Sequence, residues 1–578
     1  MENVKLDVGL QGFGAMMLAS AVKSIYPNAK LGLASVGENG FYVDFDFASP
    51  IKTEDLKKIE DEMRRIAKRP DVIVSEKSKL EVTRLFDKAG ESYLVEAIAG
   101  RKGKIKLCTI GGTSILLDMP ISDKPPLVFN LTQIAGAYWK NDAKNKMLSR
   151  LIGVAFAKKD DLDAYLAHQE EIKRRDHNRI GRELEYFTTV DIVGQGLPHF
   201  LPKGSKILQI LERFVEDEEE RRGYLHVKTP LLAKKDLYEL SGHWQHYKDG
   251  MFIIGDEHLD SEVFALRPMT CPFNFFVYKN SIKSYRDLPY RIAETSTLFR
   301  NEHSGEMHGM QRVRQFTLSD SHIIVRPDQV DMMIDECLDL TKFFMNALGV
   351  TGRATYRLSK WDPKSPKSYF GTAKDWDKAQ EQLRTALVRA GVDFVEADGE
   401  AAFYGPKIDL QLRNVHGKED TAFTTQLDFC LAEKYDLTYI DDKGERARPV
   451  IIHRSALGCY ERTLAFLLEH YAGALPLWLS PVQIAVMGIT NKQDDYVEQI
   501  ARELGNAGLR VERDIRAEKV GYKIREHSKK KIPYLLVVGE KEREENLVSV
   551  RTREGEDRGT MKLSEFINLA KTQIENFG

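Results

Sequence analysis

Apolar and polar residues alternate along two neighbouring stretches, YRIAETSTLFR (290–300) and QRVRQFTLSDSHIIV (311–325). That period of two predicts half-buried strands. Between them NEHSGEMHGM carries Ser304, Gly305 and Gly309, residues that suit a long hairpin loop. On two antiparallel strands Arg300, Arg312 and Arg314 converge on one region with Glu302 among them. Three guanidiniums beside one carboxylate suit a polyphosphate. By itself, however, this stretch reads slightly better as a salt-bridged surface hairpin.

The same patterning divides the chain into four regions. Residues 1–135 mix short strand-like runs (GFYVDFDF) with a charged helix (TEDLKKIEDEMRRIAKR), which predicts a small α+β domain. Over 136–188 the run KDDLDAYLAHQEEIKRRDHNRIGRELEYF predicts a helical connector with a solvated face. Residues 189–478 hold strand-like runs such as IDLQLRN and TTQLDF at irregular spacing among helices, an α+β domain on a mainly antiparallel sheet. Residues 479–578 alternate strand and helix (VQIAVMGI, QDDYVEQIARELGNAG, LRVERDI, PYLLVVG), a small α/β domain with a largely parallel sheet.

Composition narrows the classes without choosing among them. A chain of 578 residues forms three or four domains, and 42% hydrophobic with 30% charged residues is ordinary for a soluble protein. A net charge of −2 excludes bulk attraction to nucleic acid or membranes and leaves room for local basic patches. Five cysteines without a CxxC pair point to a reducing, cytoplasmic compartment. The run VGLQGFGAMMLASAV is interrupted by Gln11 and preceded by Asp7, which argues against an export signal. No stretch is expected to span a membrane.

The hairpin has two companions. GYLHVKTPLLA (223–233) turns at Pro230, and HRSALGCYERTLAFLLEHY (453–471) places Gly458 four residues before Arg462 on an amphipathic helix. Together the three resemble the signature motifs of class II aminoacyl-tRNA synthetases. SGHWQHYKDGMF, RPMTCPF, RNEHSG, HGMQRVRQFT, AFYGPKIDLQL, TQLDF and IHRSALG resemble the threonyl-tRNA synthetase family, and EKVGYKIREHSKKKIPYLLVVGEKE resembles its anticodon-binding domain. The resemblance implies a multidomain α+β and α/β fold: an N-terminal α+β editing-like domain, a class II antiparallel-sheet catalytic core and a C-terminal α/β anticodon-binding domain. It implies ATP-dependent activation of threonine, transfer to tRNA(Thr), Mg²⁺ with the ATP, and a homodimer built on the first motif.

Residue by residue, the resemblance assigns Arg300 to the ATP α-phosphate and the amino-acid carboxylate, and Arg462 to the γ-phosphate. It assigns Glu302 to the adenine side, Phe316 to stacking on the base, and Arg312 and Gln426 to further nucleotide contacts. A helix-surface ion pair with Glu461 or Glu469 is the structural alternative for Arg462. Lys407 and Tyr404 are candidates for holding the adenylate. His243 either handles a proton at the terminal ribose or is a structural pocket histidine. Cys271, His322 and His453 would ligate one Zn²⁺, completed by the substrate's amino and hydroxyl groups, with Asp320 accepting the hydroxyl. Arg525, Lys531, Glu542 and Arg551 match anticodon-binding positions.

The chain also departs from the family. Gly12 and Met16 stand where an editing HxxxH pair belongs, and Ile115 and Met119 where a CxxxH pair belongs. None of these side chains can shuttle a proton. Intrinsic editing of seryl-tRNA is therefore expected to be absent, as is the ubiquitin-like N-terminal domain of many bacterial members. CPFN replaces the usual CPGH, so Phe273 is expected to narrow the space around bound ligand beside Asn274. Leu318, Ala422 and Ala517 are further replacements. A specialised paralogue, inhibitor-resistant or serving a biosynthetic pathway, and a non-catalytic tRNA-sensing regulator are the rival readings.

Overall fold

The computed structural model describes residues 5–578 except 38, 127, 143, 261 and 416. The chain forms two compact units, Met1–Glu171 and Ile172–Gly578.

In the first unit the helix Val8–Ile25 begins where the Asp7 carboxylate accepts from the Leu10 N–H at 2.9 Å. Every residue from Gln11 to Val22 is buried. The helix packs on a four-stranded sheet ordered Lys30–Gly37, Gly40–Asp46, Met147–Phe156, Val128–Tyr138. Gln11 sits in this apolar core because its amide pairs with both backbone groups of Ala155, at 2.6 and 3.0 Å. By length and composition this helix could cross a bilayer, against the expectation that no stretch could, but 67% of it is buried within the protein.

The expected boundary at residue 135 falls inside the strand Val128–Tyr138, and the strand Met147–Phe156 follows where a helical connector was expected. Alternating burial in the first of these strands fades beyond Leu131, so its second half carries no clear period. Helix begins only with Lys159–Arg175 and restarts at His177–Glu183.

The second unit is built on an eight-stranded sheet. Its order is Leu225–His226, Tyr290–Phe299, Gln315–Val325, Val450–Cys459, Glu419–Asp428, Lys407–Arg413, Ala354–Lys360, Phe394–Asp398. Only the two outermost pairings are parallel, so the antiparallel expectation holds. Helices Val330–Ala347 and Tyr460–His470 join the core through Met333, Phe344, Tyr460 and Leu467. The predicted hairpin is present, pairing Tyr290 with Ile324 through Phe299 with Gln315, and residues 300–314 form its loop.

The tail carries a five-stranded sheet ordered Val511–Asp514, Ile484–Gly488, Tyr534–Val538, Leu547–Thr552, Asp557–Lys562. Its first three strands are parallel and the last two are added antiparallel, so the sheet is mixed rather than largely parallel.

Candidate active site

A cleft opens above the hairpin, the strands Glu419–Asp428 and Val450–Cys459, and the start of the helix Cys271–Lys279. Arg300, Glu302, Arg312, Phe316, Asp320, Tyr404, Gln426, His453 and Arg462 all line it, as does Cys271. The Arg300 guanidinium lies 5.0 Å from the centre of the Phe316 ring. Arg312 donates to Glu302 at 2.9 Å, and the Tyr404 hydroxyl donates to Gln426 Oε1 at 2.7 Å. Arg314 does not join them. It donates to the Glu302 carbonyl at 3.2 and 3.1 Å, clamping the backbone of the loop. Arg462 donates from Nε to the Gln311 carbonyl at 3.0 Å and from a terminal nitrogen to the Thr421 carbonyl at 3.4 Å. The ion pair with Glu461 or Glu469 does not form, because both carboxylates are turned to other partners. Glu461 accepts from the Thr317 N–H at 2.9 Å, and Glu469 faces His177 at 2.7 Å.

At one end of the cleft Cys271, His322 and His453 bring their donor atoms within 4.8 Å of one another. All three are buried. His453 Nε2 lies 2.9 Å from Asp428 Oδ2, which fixes the proton on Nε2 and leaves Nδ1 as a lone pair. His322 Nδ1 lies 3.0 Å from Asn274 Nδ2, whose own Oδ1 is buried and unpartnered; with the amide turned, Oδ1 accepts from Nδ1–H and Nε2 keeps the lone pair. His322 Nε2 and His453 Nδ1 are then buried nitrogens without a hydrogen-bond partner. Burying such atoms is costly unless something binds them. A thiol and two imidazoles whose outer nitrogens are already held match a tetrahedral zinc site with a position left open. Asp320 stands beside this group and accepts from the Thr270 hydroxyl.

Four expected participants sit differently. His243 is buried, bonded through Nδ1 to the Ser241 hydroxyl at 2.7 Å, and is not among the cleft-lining residues. Burial lowers its pKa to about 3. Lys407 pairs with the buried Asp409 at 2.9 Å and also lies off the cleft lining. Phe273 does not narrow the cleft. It packs in a separate cluster with Tyr238, Trp244 and Met251, because two residues along a helix from Cys271 turn it about 200° away. Asn274 likewise lies behind the cleft. Leu318 and Ala422 do line it.

The anticodon candidates are spread over the tail. Arg525 is on the helix Val520–Lys529, and Arg551, on Leu547–Thr552, pairs with Asp557 at 2.7 Å. Lys531 precedes the strand Tyr534–Val538, whereas Glu542 follows it and caps the Gly539 N–H at 2.9 Å. Five strand residues, about 17 Å, thus separate those two along the sheet.

In the N-terminal unit the four positions that would carry editing chemistry are packed. Met16 is 2% exposed and Ile115 4%, and Met119 packs against the same core. The carbonyl of Pro120 lies over Gly12.

Residues 252–471 match the tRNA synthetase class II core domain (G, H, P, S and T) and residues 483–573 the anticodon binding domain. The chain is 54% identical over 563 residues to a threonine–tRNA ligase of Clostridium botulinum, covering 96% of this chain and 87% of that one. A threonine–tRNA ligase of Geobacillus kaustophilus is 46% identical, covering 98% and 88%. Among solved structures, the RNA binding domain of threonyl-tRNA synthetase from Cryptosporidium parvum superposes with a TM-score of 0.65 at 36% identity, covering 69% of this chain and 98% of that one.

Proposed function

The chain belongs to the threonyl-tRNA synthetase family, and from that membership we propose how its residues divide the work. It is a threonine–tRNA ligase, which couples cleavage of ATP to AMP and pyrophosphate with attachment of threonine to tRNA. In the first step a threonine carboxylate oxygen attacks the ATP α-phosphorus, and pyrophosphate leaves. Negative charge grows on the equatorial oxygens and on the leaving group. Arg300, Arg312 and Arg462 stand around the cleft where that charge would develop, with Mg²⁺ arriving as the counter-ion of ATP. Fixed guanidiniums stabilise such charge without moving a proton. Phe316 offers a face to the adenine, and Glu302 and Gln426 supply acceptors beside it.

Cys271, His322 and His453 would hold a zinc ion, which supplies a Lewis-acidic seat for the substrate's amino and hydroxyl groups. Asp320 then accepts the hydroxyl proton in a hydrogen bond. Valine, which has no hydroxyl, would leave Asp320 with the Thr270 hydroxyl alone and forfeit the substrate's hydrogen bond, and is rejected strongly. In the second step the terminal ribose hydroxyl of tRNA attacks the acyl carbon and AMP leaves. His243 is buried, held through Nδ1 by the Ser241 hydroxyl and off the cleft lining, so we assign it to shaping the pocket rather than to proton transfer. The tail is assigned to the anticodon and the N-terminal unit to a fold without hydrolysis.

A homodimer is supported by the exposed apolar residues of the first motif, Leu225 at 50%, Leu231 at 43% and Leu232 at 39% exposure. Five free thiols, four of them buried, suit the cytoplasm. The observation that carries the catalytic reading is the meeting of three arginines with Cys271 and His453 in one cleft, His453 and the neighbouring His322 each keeping an orphaned donor atom. Threonine-dependent exchange of labelled pyrophosphate into ATP tests it. Binding of tRNA without exchange would instead make the chain a sensing regulator.

A further inference from the structure

His177 opens the helix His177–Glu183, capped by the Asp176 carboxylate. In sequence it lies in a run of charges, yet its side chain is fully buried, and so is that of Glu469 near the end of the helix Tyr460–His470. His177 Nδ1 and Glu469 Oε1 are 2.7 Å apart. His177 Nε2 lies 3.3 Å from the backbone nitrogen of Met310. A backbone N–H can only donate, so Nε2 accepts and the ring proton sits on Nδ1, donated to Glu469. Glu469 also accepts from Gln311 Nε2 at 3.2 Å and from the Val415 N–H at 3.3 Å. Neither His177 nor Glu469 keeps an unpartnered buried atom. Four segments of chain are tied by one satisfied buried network.

The network ends at the cleft. Gln311 is held by its amide at Glu469 and, through Met310, by its backbone at His177, and its carbonyl accepts from Arg462 Nε at 3.0 Å. The loop has no slack here. Gly309 adopts φ +51, and a Cβ on it would stand 2.2 Å from both His177 Nε2 and Asn178 Oδ1.

We propose that His177 is a positioning residue for ATP: through Glu469 and the segment 310–311 it fixes the carbonyl that aims the Arg462 guanidinium into the cleft. The proposal rests on the assignment of Arg462 to the nucleotide phosphates. An arginine with Nε already held presents its outer edge to a phosphate without losing rotamer freedom on binding. Asp176 and His308 lie near enough to make a metal triad with His177. Both ring nitrogens of His177 are engaged, however, and Asp176 caps its own helix.

Pyrophosphate exchange on the full-length enzyme, with KM measured separately for ATP and threonine, tests the proposal. R462A serves as the reference: it raises KM for ATP if Arg462 binds phosphate, and an unchanged value overturns that assignment instead. His177→Phe keeps a ring but no hydrogen bonds, and should raise KM for ATP about 5- to 30-fold. KM for threonine and zinc content should not change. His177→Asn, which keeps the donor toward Glu469, should recover much of the loss. Should His177→Phe not fold, Glu469→Gln reads the same network, with the same expected split. An R462A effect on ATP without a His177→Phe effect, equal rises for both substrates, or loss of a second metal equivalent with His177 would each overturn the proposal.

Discussion

The carbonyl oxygen of Pro120 lies 2.0 Å from the point where a Cβ on Gly12 would stand. Residues 120–122 therefore rest directly on the helix Val8–Ile25, an approach that the Ser122 N–H seals with a 2.9 Å bond to the Gly9 carbonyl. Gly12→Ala should cost about 1–3 kcal/mol of stability, visible as a lower thermal midpoint. Restoring all four editing residues, with His at 12 and 16, Cys at 115 and His at 119, should not restore hydrolysis of pre-formed seryl-tRNA. Brisk deacylation by that variant would show that the segment moves aside freely.

The unaltered enzyme should also leave seryl-tRNA intact. Serine carries the same amino and hydroxyl groups as threonine, so only the contact with one methyl opposes it. Such a contact discriminates by about 10- to 200-fold. Charging tRNA(Thr) with an excess of serine should accumulate seryl-tRNA; deacylation well above the spontaneous rate would place an unrecognised hydrolytic site in the chain.

For the zinc ligands the expected result is loss of metal together with loss of threonine activation in His322→Ala. The variant should fold, since the removed ring leaves the ladder intact. Asn274→Leu removes the hydrogen bond to His322 Nδ1. Metal affinity measured by chelator competition should fall about 10- to 100-fold. Elemental analysis that finds no zinc in threonine-active protein would sink the whole assignment.

Arg551 is half-exposed and paired with Asp557, a surface pair worth little to stability. Arg551→Ala should weaken aminoacylation while leaving pyrophosphate exchange unchanged, because the anticodon contact is made only by tRNA. Equal loss in both assays would misplace the residue.

Glu461 gives a pH dependence. Burial pushes its pKa from 4.5 up to about 7, although the Thr317 N–H bonds oppose the shift. The folded state thus holds a proton that the unfolded chain has released above pH 4.5. Its stabilising contribution is complete below the unfolded pKa and disappears as pH rises through about 7. Glu461→Gln should flatten that fall, so the thermal midpoint of the variant relative to the parent should climb between pH 5 and 7.5. A constant difference across that range would show Glu461 ionised throughout.

Much of the site was legible where local pattern and chemistry coincide. The hairpin announced itself by alternation, and its arginines by their number. Arg314 looked like a third phosphate ligand because spacing cannot distinguish a side chain aimed at a ligand from one aimed at its own loop's carbonyl. The metal donors had no local signal; His322 and His453 meet through sheet pairing, Cys271 reaches them from the start of a helix, and all three were named by resemblance. Phe273 was misjudged because nearness in sequence to Cys271 hides the turn of the helix between them. His177 was overlooked inside a charged run. Asp176 was the available clue, since an aspartate before a new helical repeat marks a cap and hence a break in a supposedly continuous solvated helix.

His322 and His453 are direct cross-strand partners, and Gln426 faces His453 on the next strand. Backbone pairing, rather than loop geometry, therefore spaces these three groups. A strand reverses its faces with every residue, so one inserted or deleted residue between Gln315 and His322 would turn the imidazole away from the cleft and disable the site at a stroke. The same change in the hairpin's loop would leave both rings in place. Inheritance of this enzyme should accordingly forbid length variation within the three inner strands, a constraint of parity that substitution alone cannot relax.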